Sequence, residues 1–471
     1  MESKRLFGTN GIRGITNEEL TPEFALKIAY ATGSFFKRGN ILVGYDGRTS
    51  SPMLANAVTA GLISTGCQVY NGGMAPTPAI QYAIKHHRMD GGVMITASHN
   101  PPQYNGIKVM AKDGVELPRE KELKIEKIFF NNKFQLAEWN ALGEIYSKLN
   151  VLETYIEAVK RHADIEAIRE KGYKIVVDAG NGVGSLTLPR LLREIGCQVL
   201  TLNANVDGTF PGRPSEPRPE NLQELASLVK TVKADLGIAL DGDADRAIFT
   251  DEKGQIHWGD RSFALIAKHF LIENPKETVV TPVSSSQLIK DVVDEYKGKL
   301  VWTKVGSITV ARTMLKMKAK LGGEENGGVF YAPHHPVRDS AMTAILILNI
   351  MVRTGKRLSE LLRELPTYYI EKGKVECPHE LKQKTLAELT AQVKNLKVDT
   401  IDGVKIWFED KSAILIRPSG TEPLYRLYAE AKTKQRAKTL LKKYEKTVRT
   451  LINKLMDRSI GGKPKRFHHQ S

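Results

Sequence analysis

Short apolar runs alternate with polar, glycine-rich turns and with stretches of helical period along most of the chain. The run ILVGYD, Ile41–Asp46, is followed by the polar GRTSSP, an apolar-periodic stretch and GCQVYNGG. That order reads as strand, turn, helix, strand, a βαβ unit. A helix is predicted before it, from Thr21 as N-cap with Pro22 at the first helical position. The pattern returns at YKIVVDAGNGVGS, Tyr173–Ser185, with LTLPRLLREI and GCQVLTLN behind it. The tetrapeptide GCQV stands at the same point of both units, at Gly66 and Gly196. A third copy is predicted at ETVVTPVSSSQLIKDVVDEY followed by KLVWTKVG. The last segment differs: HELKQKTLAELTAQV is helical in period, whereas VKIWFED, SAILIRPSG and YRLYAEA alternate like strands of an antiparallel sheet. The expected fold is α/β. It has three related domains with mixed, parallel-rich sheets, at 1–150, 151–253 and 254–366, and a smaller α+β domain at 367–456. A disordered basic tail is expected at 457–471.

Composition narrows the class. At 471 residues the chain exceeds one ordinary core, and 41% hydrophobic with 26% charged residues suits a globular protein. Cys67, Cys197 and Cys377 are far apart and form no Cys/His cluster, so neither a disulfide framework nor a structural zinc site is expected. The N-terminus lacks the apolar stretch of a signal peptide. The longest oily run, AMTAILILNIMV, Ala341–Val352, is too short to span a bilayer and is interrupted by Asn349, so a buried helix is expected there. A cytoplasmic location follows as the expectation. The net charge of +16 is concentrated at the end: from Lys432 onward, 13 Lys and Arg face only Glu445 and Asp457. Ala437, Leu440, Leu441, Tyr444, Val448, Leu451, Ile452 and Leu455 recur there at helical spacing, so one face packs and the charged face meets water.

Four stretches carry chemistry. In TASHNPP, Thr96–Pro102, an apolar run GGVMI leads into a turn that Pro101 and Pro102 stiffen. Ser98 is expected on it with its hydroxyl displayed, suited to a nucleophile or a carrier of a phosphoryl group. In DGDADR, Asp241–Arg246, three alternating carboxylates lie in a tight turn between two apolar runs, and all three can converge on one hard cation. The EF-hand reading fails, because Arg246 occupies the place that needs glycine. Mg²⁺ fits the donor set, since it is held by few carboxylates plus a phosphate oxygen. GGEENGG, Gly322–Gly328, is expected as a flexible loop with groups suited to sugar hydroxyls. In RPSGTEP, Arg417–Pro423, a planar fork, two hydroxyls and an open glycine backbone make a phosphate cradle without a Walker lysine. DAGNGVGS misses the G-x-G-x-x-G spacing and reads as a structural turn.

The four motifs, in this order and one per domain, resemble those of the α-D-phosphohexomutase family, over essentially the whole chain except the tail. FGTNGIRG at the start is similar to phosphoglucosamine mutases, and GEENGG to archaeal members that include phosphomannomutase/phosphoglucomutase enzymes. The resemblance implies domains around a central cleft and interconversion of hexose 6-phosphate and hexose 1-phosphate, with glucosamine preferred and the phosphomannomutase/phosphoglucomutase activity as the alternative. It implies Ser98 as the phosphoserine. It implies Mg²⁺ on that phosphate together with Asp241, Asp243 and Asp245, and Arg246 beside the transferring group. Lys108 would act in proton transfer. Glu324 and Asn326 would grip sugar hydroxyls, and Arg417, Ser419, Gly420 and Thr421 would hold the non-reacting phosphate. A hexose 1,6-bisphosphate is the implied activator, a small phosphosugar the partner, and the assembly a monomer or homodimer; neither membrane nor nucleic acid is expected. Two positions depart from the pattern: Ser307, where many relatives carry Asp or His, and Gly328, in place of a His. Rival readings are a Mg²⁺ phosphatase, and a non-catalytic sugar-phosphate sensor using the tail to bind nucleic acid.

Overall fold

A computed structural model describes residues 5–8, 10–146, 149–420 and 422–460. Within them the strands form four sheets. The first contains β1 (Ile12–Ile15), β2 (Asn40–Tyr45), β3 (Gln68–Met74), β4 (Gly91–Ile95), β5 (Tyr104–Ala111) and β6 (Ile145–Tyr146), in the order β1-β5-β4-β2-β3-β6. The second contains β7 (Lys174–Asp178), β8 (Gln198–Leu202), β9 (Leu236–Leu240), β10 (Ala247–Asp251) and β11 (Ile256–His257), in the order β11-β10-β9-β7-β8. The third contains β12 (Thr278–Pro282), β13 (Lys299–Thr303), β14 (Leu321–Gly323), β15 (Val329–Tyr331) and β16 (His335–Arg338), in the order β13-β12-β14-β15-β16. Each of these three is mixed: β2 runs parallel to β3 and β4, β7 parallel to β8 and β9, and β12 parallel to β14, with antiparallel strands beside them. The fourth sheet, of β17 (Tyr369–Glu376), β18 (Lys397–Asp399), β19 (Val404–Trp407), β20 (Ala413–Pro418) and β21 (Leu424–Ala431), is antiparallel throughout, in the order β17-β21-β20-β19-β18. The chain divides into two compact units. One comprises Met1–Thr281, Val292–Val301 and Gly306–Leu365, the other Pro282–Asp291, Trp302–Val305 and Pro366–Ser471.

Local chemistry explains the elements. The helix Pro22–Phe36 starts where Thr21 Oγ1 accepts from the Phe24 amide at 3.1 Å. The two GCQV copies mark one device: Gly66 and Gly196 have φ of 81° and 102°, which glycine alone adopts freely. There the chain leaves a helix and enters β3 or β8, with Cys67 and Cys197 buried just behind. The oily run lies within the helix Ser340–Thr354, whose N-cap Asp339 accepts from the Met342 amide at 2.9 Å. Asn349 is buried in it without penalty. It donates to the His162 carbonyl and accepts from the Asp164 amide. Among the described residues no helix is long and apolar enough to cross a membrane.

One boundary differs from expectation. The closing helix runs from Lys434 to Ile460, so residues 457–460 continue it and are not tail. Its buried stripe, which reaches Leu455, carries the helical conformation past the last packed residue. The remainder of the expected tail, 461–471, lies outside the described residues.

Candidate active site

Each motif sits where a strand ends. Ile95 closes β4, and Thr96 to Pro102 follow it. Leu240 of β9 faces Ala247 of β10, so residues 241–246 are the hairpin loop between them. Gly323 of β14 faces Val329 of β15, leaving 324–328 as a second hairpin loop.

Ser98 has φ of 53°, a left-handed conformation that a non-glycine residue holds only when its surroundings impose it. The source is Arg48, whose guanidinium donates to the carbonyls of Ser98, Asn100, Pro101 and Tyr104 at 2.8, 2.6, 2.7 and 2.9 Å. Asp46 holds that arginine by a 3.2 Å ion pair. Through Thr96, Asp46 also fixes the Ser98 amide: Thr96 Oγ1 donates to Asp46 at 2.6 Å and accepts from the Ser98 amide at 2.8 Å. The hydroxyl is not displayed, contrary to expectation. Ser98 is fully buried, and its Oγ donates to Asp241 Oδ2 at 3.0 Å. The serine turn has been pulled down onto the carboxylate loop, which covers it.

The three carboxylates do converge: Asp241, Asp243 and Asp245 each bring an oxygen within 4.8 Å of the others, and all are buried. Each uses its two oxygens differently. Asp241 Oδ1 accepts from the Asp245 and Arg246 amides at 3.0 and 3.1 Å. Asp243 Oδ2 accepts from Thr77 Oγ1 at 2.6 Å and from Lys108 Nζ at 2.8 Å. Asp245 Oδ2 accepts from Arg338. Among the described residues, Asp243 Oδ1 and Asp245 Oδ1 accept no hydrogen bond, although both are buried. Buried acceptors without donors are costly. A hard divalent cation shared by the three carboxylates would satisfy them, so the donor set fits Mg²⁺.

The three carboxylates sit in unequal electrostatic surroundings. Burial and then the neighbouring Asp245 and Asp243 hold the Asp241 carboxyl well above the usual carboxylate range. Burial also raises Asp243, but the Lys108 ammonium and hydrogen bond outweigh it and drive its pKa below normal. Arg246 Nε lies 3.9 Å from Asp241 and 3.6 Å from Asp245, and accordingly makes no hydrogen bond of its own. Next to the serine, His99 Nδ1 is 3.4 Å from Ser98 Oγ. Burial, then Arg246 and Arg13, push its pKa well below 6.5, so the ring is neutral at ordinary pH. Arg13, lowered to about 10 chiefly by burial, donates to Asn100 Oδ1 at 2.5 Å.

The sugar-loop motif is not the open, flexible tip expected. Glu324 is buried, and its Oε2 accepts from Arg338 at 3.0 Å. Asn326 Oδ1 accepts from the Gly328 amide at 3.2 Å. Ser307 opens the helix Ser307–Met317 and accepts from Asn10 Nδ2 at 3.2 Å. The first unit thus gathers Ser98, Lys108, the three aspartates, Arg246 and, through Arg338, Glu324.

In the second unit the phosphate-loop motif connects β20 to β21. Arg417 is half-buried and pairs with Asp402 at 3.1 Å. The Ser419 amide donates to the Leu424 carbonyl, and Ser419 Oγ accepts from the Glu422 amide. Lys382 Nζ donates to the carbonyls of Ser419 and Glu422 at 2.8 and 2.5 Å, stapling the loop from beneath. Among the described residues a Cβ built on Gly420 meets nothing within 4 Å. Thr421 lies outside the described residues.

Arg48, Thr77, Lys382, Arg338 and His99 were not singled out from the sequence. The first four each reach a partner that lies 37 to 166 positions away, which local sequence does not mark. His99 was within the motif and could have been found there.

Four domain descriptions of one family match the chain in order: phosphoglucomutase/phosphomannomutase α/β/α domain I at 4–136, domain II at 153–254, domain III at 258–369 and the C-terminal domain at 374–446. The chain belongs to the phosphoglucomutase/phosphomannomutase family. Within the family it is 48% identical to a phosphoglucomutase/phosphomannomutase of Thermococcus kodakarensis, over 93% of this chain and 97% of that one. It is 46% identical to a phosphoglucosamine/phosphogalactosamine mutase of Sulfurisphaera tokodaii, over 94% and 99%. The crystal structure of a family protein from Burkholderia thailandensis superposes with a TM-score of 0.85 at 28% identity, covering 95% of this chain and 97% of that one. The three α/β domains and the antiparallel C-terminal domain are therefore the family's own architecture, and the chain is an isomerase of the phosphohexomutase type.

Proposed function

We propose that this phosphohexomutase interconverts glucosamine 6-phosphate and glucosamine 1-phosphate through a phosphoserine at Ser98. The observation that carries the reading is the pairing of Ser98 Oγ with Asp241 Oδ2 at 3.0 Å beside two carboxylate oxygens that have no donor. The serine hydroxyl stands against three buried carboxylates that Lys108 and Arg338 satisfy only in part, which suits a further cation shared with a phosphate on Ser98.

Asp241, Asp243 and Asp245 would hold Mg²⁺ together with a phosphate oxygen on Ser98, where it would supply charge neutralisation for the phosphoryl group. The rest is positioning and electrostatics by the chain itself. Arg48 fixes the turn. Arg246, whose Nε makes no hydrogen bond among the described residues, faces the transferring group. In the first half-reaction the P–Oγ bond of phosphoserine breaks and a bond from phosphorus to O1 of the hexose 6-phosphate forms. The O1 proton ends on Ser98 Oγ, with Lys108 or the neutral His99 ring as carrier. In the second, the 6-phosphoryl of the 1,6-bisphosphate returns to Ser98 and the proton returns to O6. Arg417, Ser419, Gly420 and Thr421 take the phosphate that is not reacting, and Glu324 and Asn326 take sugar hydroxyls. Free hexose 1,6-bisphosphate primes Ser98, and the proposed location is the cytoplasm.

A phosphomannomutase/phosphoglucomutase activity is the second reading, favoured by the 48% identity to the Thermococcus protein of that name. A coupled assay of glucosamine, glucose and mannose phosphates, with Mg²⁺ and bisphosphate present, decides between them. Mass spectrometry after incubation with hexose 1,6-bisphosphate should find one phosphoryl group on Ser98. An unmodified serine would end this reading.

A further inference from the structure

Arg338 at the end of β16 touches two of the motifs at once. One nitrogen donates to Asp245 Oδ2 in the carboxylate loop, the other to Glu324 Oε2 in the sugar loop, the latter at 3.0 Å. Its side chain is 6% exposed, and both carboxylates are buried with it. Burial lowers the pKa of such a guanidinium, but Asp245 and Glu324 outweigh it and hold the cation firmly charged.

The path of this side chain depends on Gly328. A Cβ at Gly328 would lie 2.4 Å from Arg338 Cδ and 2.9 Å from its Cγ. These are mid-chain atoms of a residue tethered at its far end, so they cannot swing aside cheaply. Gly328 does not have a left-handed φ, so its backbone does not call for glycine; the arginine does. The side chain of Arg338 occupies the space that a side chain at 328 would need.

We propose that Arg338 is a positioning residue that aims the metal-facing oxygen of Asp245 and fixes the sugar-facing carboxylate of Glu324 with a single planar fork. It pins Asp245 Oδ2, whereas Asp245 Oδ1 accepts no hydrogen bond among the described residues and is left for a cation. Lys108 does the same for Asp243, but as a point charge on one loop. A lysine at 338 can meet one carboxylate and not two, because it lacks the fork. The Glu324 half of the proposal rests on the mutase reading; the Asp245 half does not.

The test uses the full-length protein and Mn²⁺ as the probe, with free Mn²⁺ followed by electron paramagnetic resonance. Arg338→Met should weaken Mn²⁺ binding about tenfold, as loss of an outer-shell partner does. It should also raise KM for hexose phosphates about tenfold. Arg338→Lys should recover most of the Mn²⁺ affinity and little of the KM. Gly328→Ala keeps every charge, and it stands in if Arg338→Met fails to fold. It should move both readouts in the same direction by a few-fold. Wild-type Mn²⁺ affinity in a folded Arg338→Met or Gly328→Ala protein would overturn the proposal. So would equal recovery of both readouts by lysine. If the wild-type protein shows no mutase turnover, the mutase reading falls, and the Mn²⁺ titration still decides the Asp245 half.

Discussion

Two glycines show how differently the carboxylate loop and the phosphate loop are built. A Cβ on Gly242, between Asp241 and Asp243, would sit 2.6 Å from the Ser98 carbonyl oxygen, whereas a Cβ on Gly420 finds nothing within 4 Å. The first loop is closed against its partner. Its carboxylates are buried, their outer oxygens pinned, and the serine strained into place. The second is stapled from below by Lys382 and left open above. Chemistry at a fixed phosphorus needs the first kind of construction, since misplacement by an ångström is costly. On the proposed function, a loop that takes either phosphate of a bisphosphate needs the second.

The largest effects should come from breaking the closed loop. Ser98→Ala removes the phosphoryl carrier, and turnover should fall on the order of 10⁴-fold or more. The thermal midpoint should stay within a few degrees, because Arg48 holds backbone carbonyls and not the hydroxyl. Steady-state assay and calorimetry on the same preparation check both halves.

Metal removal should cost nearly as much. Chelation should reduce turnover by about 10³-fold, the several kcal/mol that a bound cation contributes to transition-state charge, and added Mg²⁺ should restore it. The affinity should also depend on pH in a definite direction. The raised pKa of Asp241 means that the metal-free fold favours its protonated form. That contribution to stability is present at low pH and lost as pH rises through the raised value, while the cation needs the carboxylate. Mg²⁺ binding should therefore release a proton and weaken as pH falls, by about tenfold per unit where Asp241 is protonated. Calorimetric titration in buffers of different ionisation enthalpy reads the proton directly.

The open loop should respond in KM. On the proposed function, Arg417→Ala removes one charged hydrogen-bond donor to phosphate, worth roughly 1.5–3 kcal/mol, so KM should rise about 10- to 100-fold for the 6-phosphate and the 1-phosphate alike. Unequal effects on the two substrates would show that the loop serves one end only.

Much of the closed site could be read from the chain because its parts are local. Alternating carboxylates between two apolar runs had to be a hairpin loop, and the register of β9 and β10 makes it one. The strand before Ser98 and the repeat marked by GCQV were equally local. The burial of Ser98 was not, because it comes from Arg48 and Asp241, 50 and 143 positions away. The link from Asp245 to Glu324 was hidden for the same reason. Arg338 follows the sugar motif by ten residues as one more charged residue at a strand end, and only the space above Gly328 explains it.

The smallest expected effect sharpens the contrast most. Gly242→Ala should destabilise the protein by roughly 2–4 kcal/mol, because the new methyl group meets backbone and something must move. Gly420→Ala should cost less than about 0.5 kcal/mol in a denaturant titration, since the methyl group enters open space and the backbone there needs no left-handed φ. Yet that same methyl group would stand where a phosphate must approach the backbone, so KM should still rise a few-fold while stability holds. A Gly420→Ala protein with unchanged KM would mean that the anion is held by side chains alone. One that unfolds easily would mean that the loop is packed in solution, and the difference between the two glycines would disappear.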